Sequence, residues 1–74
     1  MDILPLSKLN VKQKGVIAYL RAKNKDQMRK LMSIGVLPGA HISLVQKFPS
    51  YVFLLGHSQF AVDKDLASAI HVRI

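Results

Sequence analysis

Three histidines are the residues of this 74-residue chain with the clearest capacity to bind a metal ion. Neutral imidazole is the commonest metal ligand, so His41, His57 and His71 are the candidate ligands. Their wide spacing matches neither the i, i+4 pair of a helical site nor a short paired motif. The sequence therefore predicts three surface imidazoles, no required cofactor, and at most a weak contact with a divalent ion.

The carboxylates give little support to catalysis. The chain has four, and Asp63 and Asp65 stand two positions apart in a predicted turn. A general acid–base pair needs burial and a cleft, which a domain of this size scarcely provides. Cysteine is absent, the four glycines form no phosphate-binding loop, and no nucleophile elbow is present. We therefore predict a protein that is not an enzyme.

Positive charge is the strongest compositional feature. Eleven lysines and arginines face four acids, a net charge of +7, and residues 1–30 alone carry +6. Such an imbalance is typical either of a solvated surface or of an anionic partner. Nucleic-acid-binding barrels interleave basic residues with exposed aromatics, but all five aromatics here lie in or beside apolar strands. We expect no specific nucleic-acid partner, and a small basic nucleic-acid-binding barrel remains an alternative.

Alternating apolar residues predict short strands along most of the chain. Half of the residues are apolar, which suffices for one core without disulfides. We predict a single domain, residues 1–74, that is mainly β with one or two short helices. About five strands would curl into a small barrel. The predicted strands cover residues 14–20, 41–45 (with a phase change at Val45), 51–55, 58–62 and 70–74, and Asp63 caps a brief helical turn over residues 63–69.

One amphipathic helix interrupts the strands. Met28, Leu31 and Met32 fall at i, i+3 and i+4 between Asn24, a predicted N-cap, and Gly35, a predicted C-terminal stop. The helix and the turn after it form the predicted contact surface for a partner. Its apolar and basic members are Met28, Arg29, Lys30, Met32, Val36 and Leu37, followed by a rigid turn built on Gly35, Pro38 and Gly39. We also expect at least two of Leu31, Ile34 and Leu37 to belong to the core.

The run Arg29–Ala40, RKLMSIGVLPGA, resembles the signature of the ferrous-iron transport protein A (FeoA) family. Leu6–Leu9, Lys14–Ile17, Phe60–Val62 and Ala67–Val72 match the family's other segments in order, so the resemblance covers nearly the whole chain.

Three positions depart from the family pattern. The usual glycine before the first strand is Gln13, with Gly15 two residues later, and Asp63 replaces a basic residue. The hairpin between Pro49 and Gly56 is also shorter than is common.

The resemblance implies an SH3-like barrel that assists bacterial ferrous-iron uptake as an adaptor of FeoB, a membrane GTPase-permease. It implies a cytoplasmic protein, monomeric or weakly self-associating, recruited to the membrane through its partner and not inserted into it. A weak contact with Fe²⁺ fits such a role. The alternative is a stand-alone SH3-like domain of the type found in diphtheria-toxin-repressor metalloregulators, which normally follows a winged-helix domain.

Overall fold

The computed structural model describes residues 2–74. It contains six strands, two α-helices and one 3₁₀ turn over Leu6–Lys8. In chain order the elements are β1 (Ile3–Pro5), β2 (Lys14–Leu20), α1 (Lys25–Ser33), β3 (His41–Gln46), β4 (Tyr51–Leu55), β5 (Ser58–Val62), α2 (Lys64–Ala69) and β6 (Ile70–Arg73).

All six strands form one antiparallel sheet in the order β1-β6-β2-β3-β4-β5. The mainly β prediction is confirmed, with six strands in place of about five. The additional strand is β1, which pairs Ile3 with Arg73 and Pro5 with His71. Three residues that include a proline carry no alternation, so only the pairing with β6 reveals this strand.

The core is apolar and mostly aliphatic. Within residues 2–74 no polar or charged residue is buried. Phe53 is its largest member, and α1 contributes Leu31. Such a core gains stability through dense packing and burial of apolar surface. Its fully enclosed side chains are Leu6, Leu9, Ile17, Leu31, Val36, Leu44, Phe53, Ile70 and Val72.

Local sequence signals set the boundaries of several elements. Asn24 Oδ1 accepts a 2.8 Å hydrogen bond from the Gln27 backbone N–H, as an N-cap of α1 should. Asp63 Oδ1 accepts from the Leu66 N–H at 2.8 Å and caps α2. The predicted change of phase in β3 is also present, as a bulge between Leu44 and Gln46 where β3 pairs with β4.

Candidate docking site

Helix α1 presents one side to the core and the adjacent side to solvent. Leu31 is completely buried, whereas Met28 is half-buried and Met32 is 50% exposed. Residues 28 and 32 are one turn apart, so the two methionines lie next to each other along the helix. Burial of Leu31 therefore fixes the methionine pair at the boundary between core and solvent.

The segment after α1 is held by backbone geometry. Gly35 and Gly39 have φ of +94° and +93°, a region that L side chains rarely adopt. The Ala40 N–H donates to the Leu37 carbonyl at 3.1 Å, which closes a turn with Pro38 and Gly39 at its centre. The left-handed φ of Gly39, at the third position, makes this a type II arrangement.

Two further hydrogen bonds attach this turn to the sheet. The Gly39 N–H donates to the Ile17 carbonyl at 2.8 Å, and the Ile17 N–H donates to the Ala40 carbonyl at 2.9 Å. The turn is therefore anchored to β2 on both sides. It presents Leu37, which is 43% exposed, in a fixed position.

The helix, the turn and the end of β2 enclose an apolar groove of about 240 Å³. We call it the helix groove, and its lining residues are Leu20, Met28, Met32, Leu37 and Pro38. The structure thus brings together three of the predicted contact residues and one predicted turn residue. Leu20 was not predicted, because its place in the groove depends on how β2 packs beneath α1.

Val36 was predicted as a contact residue, and that prediction is wrong. Its side chain is completely buried in the core. The Val36 N–H donates to the Leu31 carbonyl at 3.0 Å, and this closure of the helix end turns the side chain inward. Leu31 is core and Ile34 packs against it, so two of the three expected residues are internal, while Leu37 faces the groove.

The two basic residues of α1 occupy different surroundings. Arg29 precedes Met32 by three residues and is therefore its neighbour on the helix surface. Its Nη1 lies 3.4 Å from Asp26 Oδ1 in a largely exposed contact. Such a surface pair contributes little to stability, and the guanidinium stays available to a partner. Lys30 lines a separate cavity of about 420 Å³, together with Pro49 and Tyr51. Of the two predicted bases, Arg29 is the one that belongs with the helix groove.

The three histidines lie on different elements. His41 begins β3 and His57 lies in the turn between β4 and β5, both exposed. His71, on β6, stacks on Tyr19 with ring centroids 4.6 Å apart. Burial, and secondarily the positive charge of Arg21, lower the pKa of His71 below 6.5. Across residues 2–74 no three His, Asp or Glu side chains converge on a point that could hold a metal ion.

Comparison with known proteins defines the family. The model of the FeoA domain matches residues 4–74. A crystal structure of an iron uptake regulatory protein, FeoA, is 29% identical, with 99% of this chain and 97% of that chain covered and a TM-score of 0.86. The zinc complex of FeoA from Stenotrophomonas maltophilia, described as a prokaryotic SH3 domain protein, is 22% identical over 92% of this chain and 87% of that one, with a TM-score of 0.81.

The fold also occurs in a larger protein. IdeR from T. acidophilum superposes with a TM-score of 0.90 at 19% identity, over all of this chain and 35% of that one. At this identity the likeness concerns the fold alone. No curated protein sequence matches the chain. No helix among residues 2–74 is long and apolar enough to cross a membrane. The FeoA-domain match over residues 4–74 shows that this chain belongs to the FeoA family of ferrous-iron transport-related SH3-like domains.

Proposed function

We propose that the chain is a non-enzymatic, cytoplasmic accessory protein of bacterial ferrous-iron uptake that binds the cytoplasmic part of a FeoB-type GTPase-permease. The observation that carries this proposal is the FeoA-domain match over residues 4–74, nearly the full chain. A domain of this family that presents an apolar groove is suited to regulation by contact.

The helix groove is the surface that fits such a contact best. Its five lining residues are apolar, and two are methionines, whose unbranched side chains adapt to different partner shapes. The anchored Pro38–Gly39 turn is ordered before binding, which lowers the entropy lost on docking. Arg29 beside the groove adds a charge that would steer an acidic partner surface. The partner surface that would fit the helix groove is a small apolar projection with carboxylates at its edge.

The test is a calorimetric titration of the chain into the purified cytoplasmic part of a FeoB-type permease. Met32→Glu places a charge in the groove at a half-exposed position, so we expect binding to weaken at least tenfold while the melting temperature changes little. Leu54→Glu is the matched control, because Leu54 is a partly exposed apolar residue on β4 away from the groove. Absence of wild-type binding would refute the function, and equal binding by Met32→Glu would place the docking surface elsewhere.

Substitutions at the neighbouring residues Arg29 and Lys30 distinguish a contact at the helix groove from an effect of the overall charge. Arg29→Glu and Lys30→Glu change the net charge equally, but Arg29 precedes the groove residue Met32 by three helical positions, whereas Lys30 lines the separate cavity next to Pro49. We expect Arg29→Glu to slow association severalfold more than Lys30→Glu at physiological salt. Equal effects of the two substitutions would mean that the overall charge, not the groove, guides the partner.

A further inference from the structure

A second exposed apolar surface lies at the opposite end of β2 from the helix groove. The turn that precedes β2 is bound to the end of β3, since the Lys12 N–H donates to the Leu44 carbonyl at 2.6 Å and the Leu44 N–H donates to the Gln13 carbonyl at 3.0 Å. The tip of the β3–β4 hairpin follows directly. We call this surface the hairpin patch, and its members are Val11, Lys12, Val45, Lys47 and Phe48.

Phe48 is the outstanding residue of the hairpin patch. Its side chain is 85% exposed, far more than any other large apolar residue among those described. Val11 and Val45, the other apolar members of the patch, are also exposed. Single exposed apolar residues are ordinary, but a group of three that includes a nearly bare aromatic ring indicates a contact surface.

The charge around the patch has one dominant sign. Segments 8–14 and 44–51 contain Lys8, Lys12, Lys14 and Lys47 and no acid. On the other side of the hairpin, the 420 Å³ cavity next to Pro49 is lined by two lysines, Lys30 and Lys64, and one carboxylate, Asp63. The hairpin tip and the turn bound to it thus carry an excess of flexible cations.

We propose that the hairpin patch is a peripheral contact for an anionic lipid bilayer. Phe48 would enter the boundary between headgroups and acyl chains, while the lysines pair with lipid phosphates and keep their aliphatic stems along the apolar region. Each lysine near an anionic membrane surface strengthens binding about fivefold. A single projecting ring with a few such charges gives weak, reversible association.

The same features disfavour the other anionic partners. Single-stranded nucleic acid binds on successive exposed aromatics, and this surface has one exposed ring. Binding of an acidic protein through the projecting Phe48 ring would need a matching pocket on that protein, whereas a bilayer accepts such a ring at its headgroup boundary without one. This inference does not depend on the permease, because the patch and the helix groove lie at opposite ends of β2.

Tryptophan fluorescence gives a direct test, because the chain has no tryptophan. Phe48→Trp places a single reporter at the tip. With vesicles of phosphatidylcholine and phosphatidylglycerol, we expect the emission to shift to shorter wavelength, and with pure phosphatidylcholine we expect little shift. An unchanged spectrum at millimolar anionic lipid would overturn the proposal.

Cosedimentation of unlabelled variants with the same vesicles distinguishes insertion from simple adsorption. Phe48→Ala should weaken binding about tenfold and leave folding intact, because the ring makes almost no internal contact. Replacing Lys12 and Lys47 together with glutamine should weaken binding about 25-fold, at fivefold for each lysine. Ile3→Ala, at an exposed apolar position on β1, should bind like the wild type. If Phe48→Ala binds as well as the wild type, the attraction is nonspecific electrostatics and the proposal fails.

Discussion

Among single residues, His71 has the most unusual surroundings. His71 pairs with Tyr19 between β6 and β2 and stacks on the tyrosine ring. The positive charge that acts on His71 is that of Arg21. Both burial and the guanidinium disfavour the imidazolium form, so the pKa of His71 is lowered from 6.5. The sequence predicted a surface imidazole at His71, but it could not show the stacked partner, because Tyr19 is more than fifty residues away.

This environment predicts a pH dependence of stability. The unfolded chain binds a proton at His71 near pH 6.5 and the folded chain only at lower pH, so the free energy of unfolding should fall as pH drops below about 6.5. Arg21→Gln removes the smaller of the two causes and should raise the pKa of His71 part of the way back. NMR titration of the His71 ring measures both values. A wild-type pKa at or above 6.5 would contradict the prediction.

Among the helices, strands and turns, features set by residues close in sequence could be predicted better than features set by long-range packing. The Asn24 cap, the stop at Gly35 and the Pro38–Gly39 turn follow from interactions within a few residues, and all are present. Whether Val36 or Leu37 faced inward could not be predicted, because both are apolar and follow a glycine. The left-handed φ of Gly35 and the hydrogen bond from the Val36 N–H to the Leu31 carbonyl turn the Val36 side chain inward.

The β2–β6 pairing supplies a stability prediction at Gly15. A Cβ atom there would lie 2.5 Å from Val72 Cγ1 and 2.6 Å from the Arg73 carbonyl oxygen, and the backbone atom cannot rotate away. Gly15→Ala should therefore cost about 1–3 kcal/mol by overpacking, which lowers the melting temperature by roughly 4–8 °C per kcal/mol for a domain of this size. Thermal denaturation followed by circular dichroism measures the loss.

A second glycine provides the control for this experiment. Gly56, in the turn before β5, has φ of +64° and no atom within 4 Å of an added Cβ. Asparagine tolerates this left-handed conformation, so Gly56→Asn should cost less than about 1 kcal/mol. If both variants lose the same stability, the close approach of β6 is not the cause at Gly15.

For the whole molecule, the central strand separates two exposed surfaces. Leu20 ends β2 within the helix groove, and Lys14 begins it beside the hairpin patch. Seven extended residues place these ends about 20 Å apart, most of the span of a molecule that measures 29 × 28 × 22 Å. A membrane protein bound in the groove and a lipid surface at the patch could therefore engage the same molecule together.

The composition of the core predicts that the whole fold is independent of metal. The clustered buried residues are all apolar, and the described part of the chain holds no disulfide to support them. Two histidines are exposed and the third is stacked on Tyr19. A lone exposed imidazole binds divalent ions weakly, so bound metal adds little to the free energy of unfolding.

Excess EDTA should change the melting temperature by less than about 1 °C, and Zn²⁺ or Fe²⁺ should raise it by no more than about 2 °C by the same linkage. His41→Gln, His57→Gln and His71→Gln provide the controls: a large loss on chelation that disappears in one of these variants would identify that histidine as a structural ligand and refute the prediction.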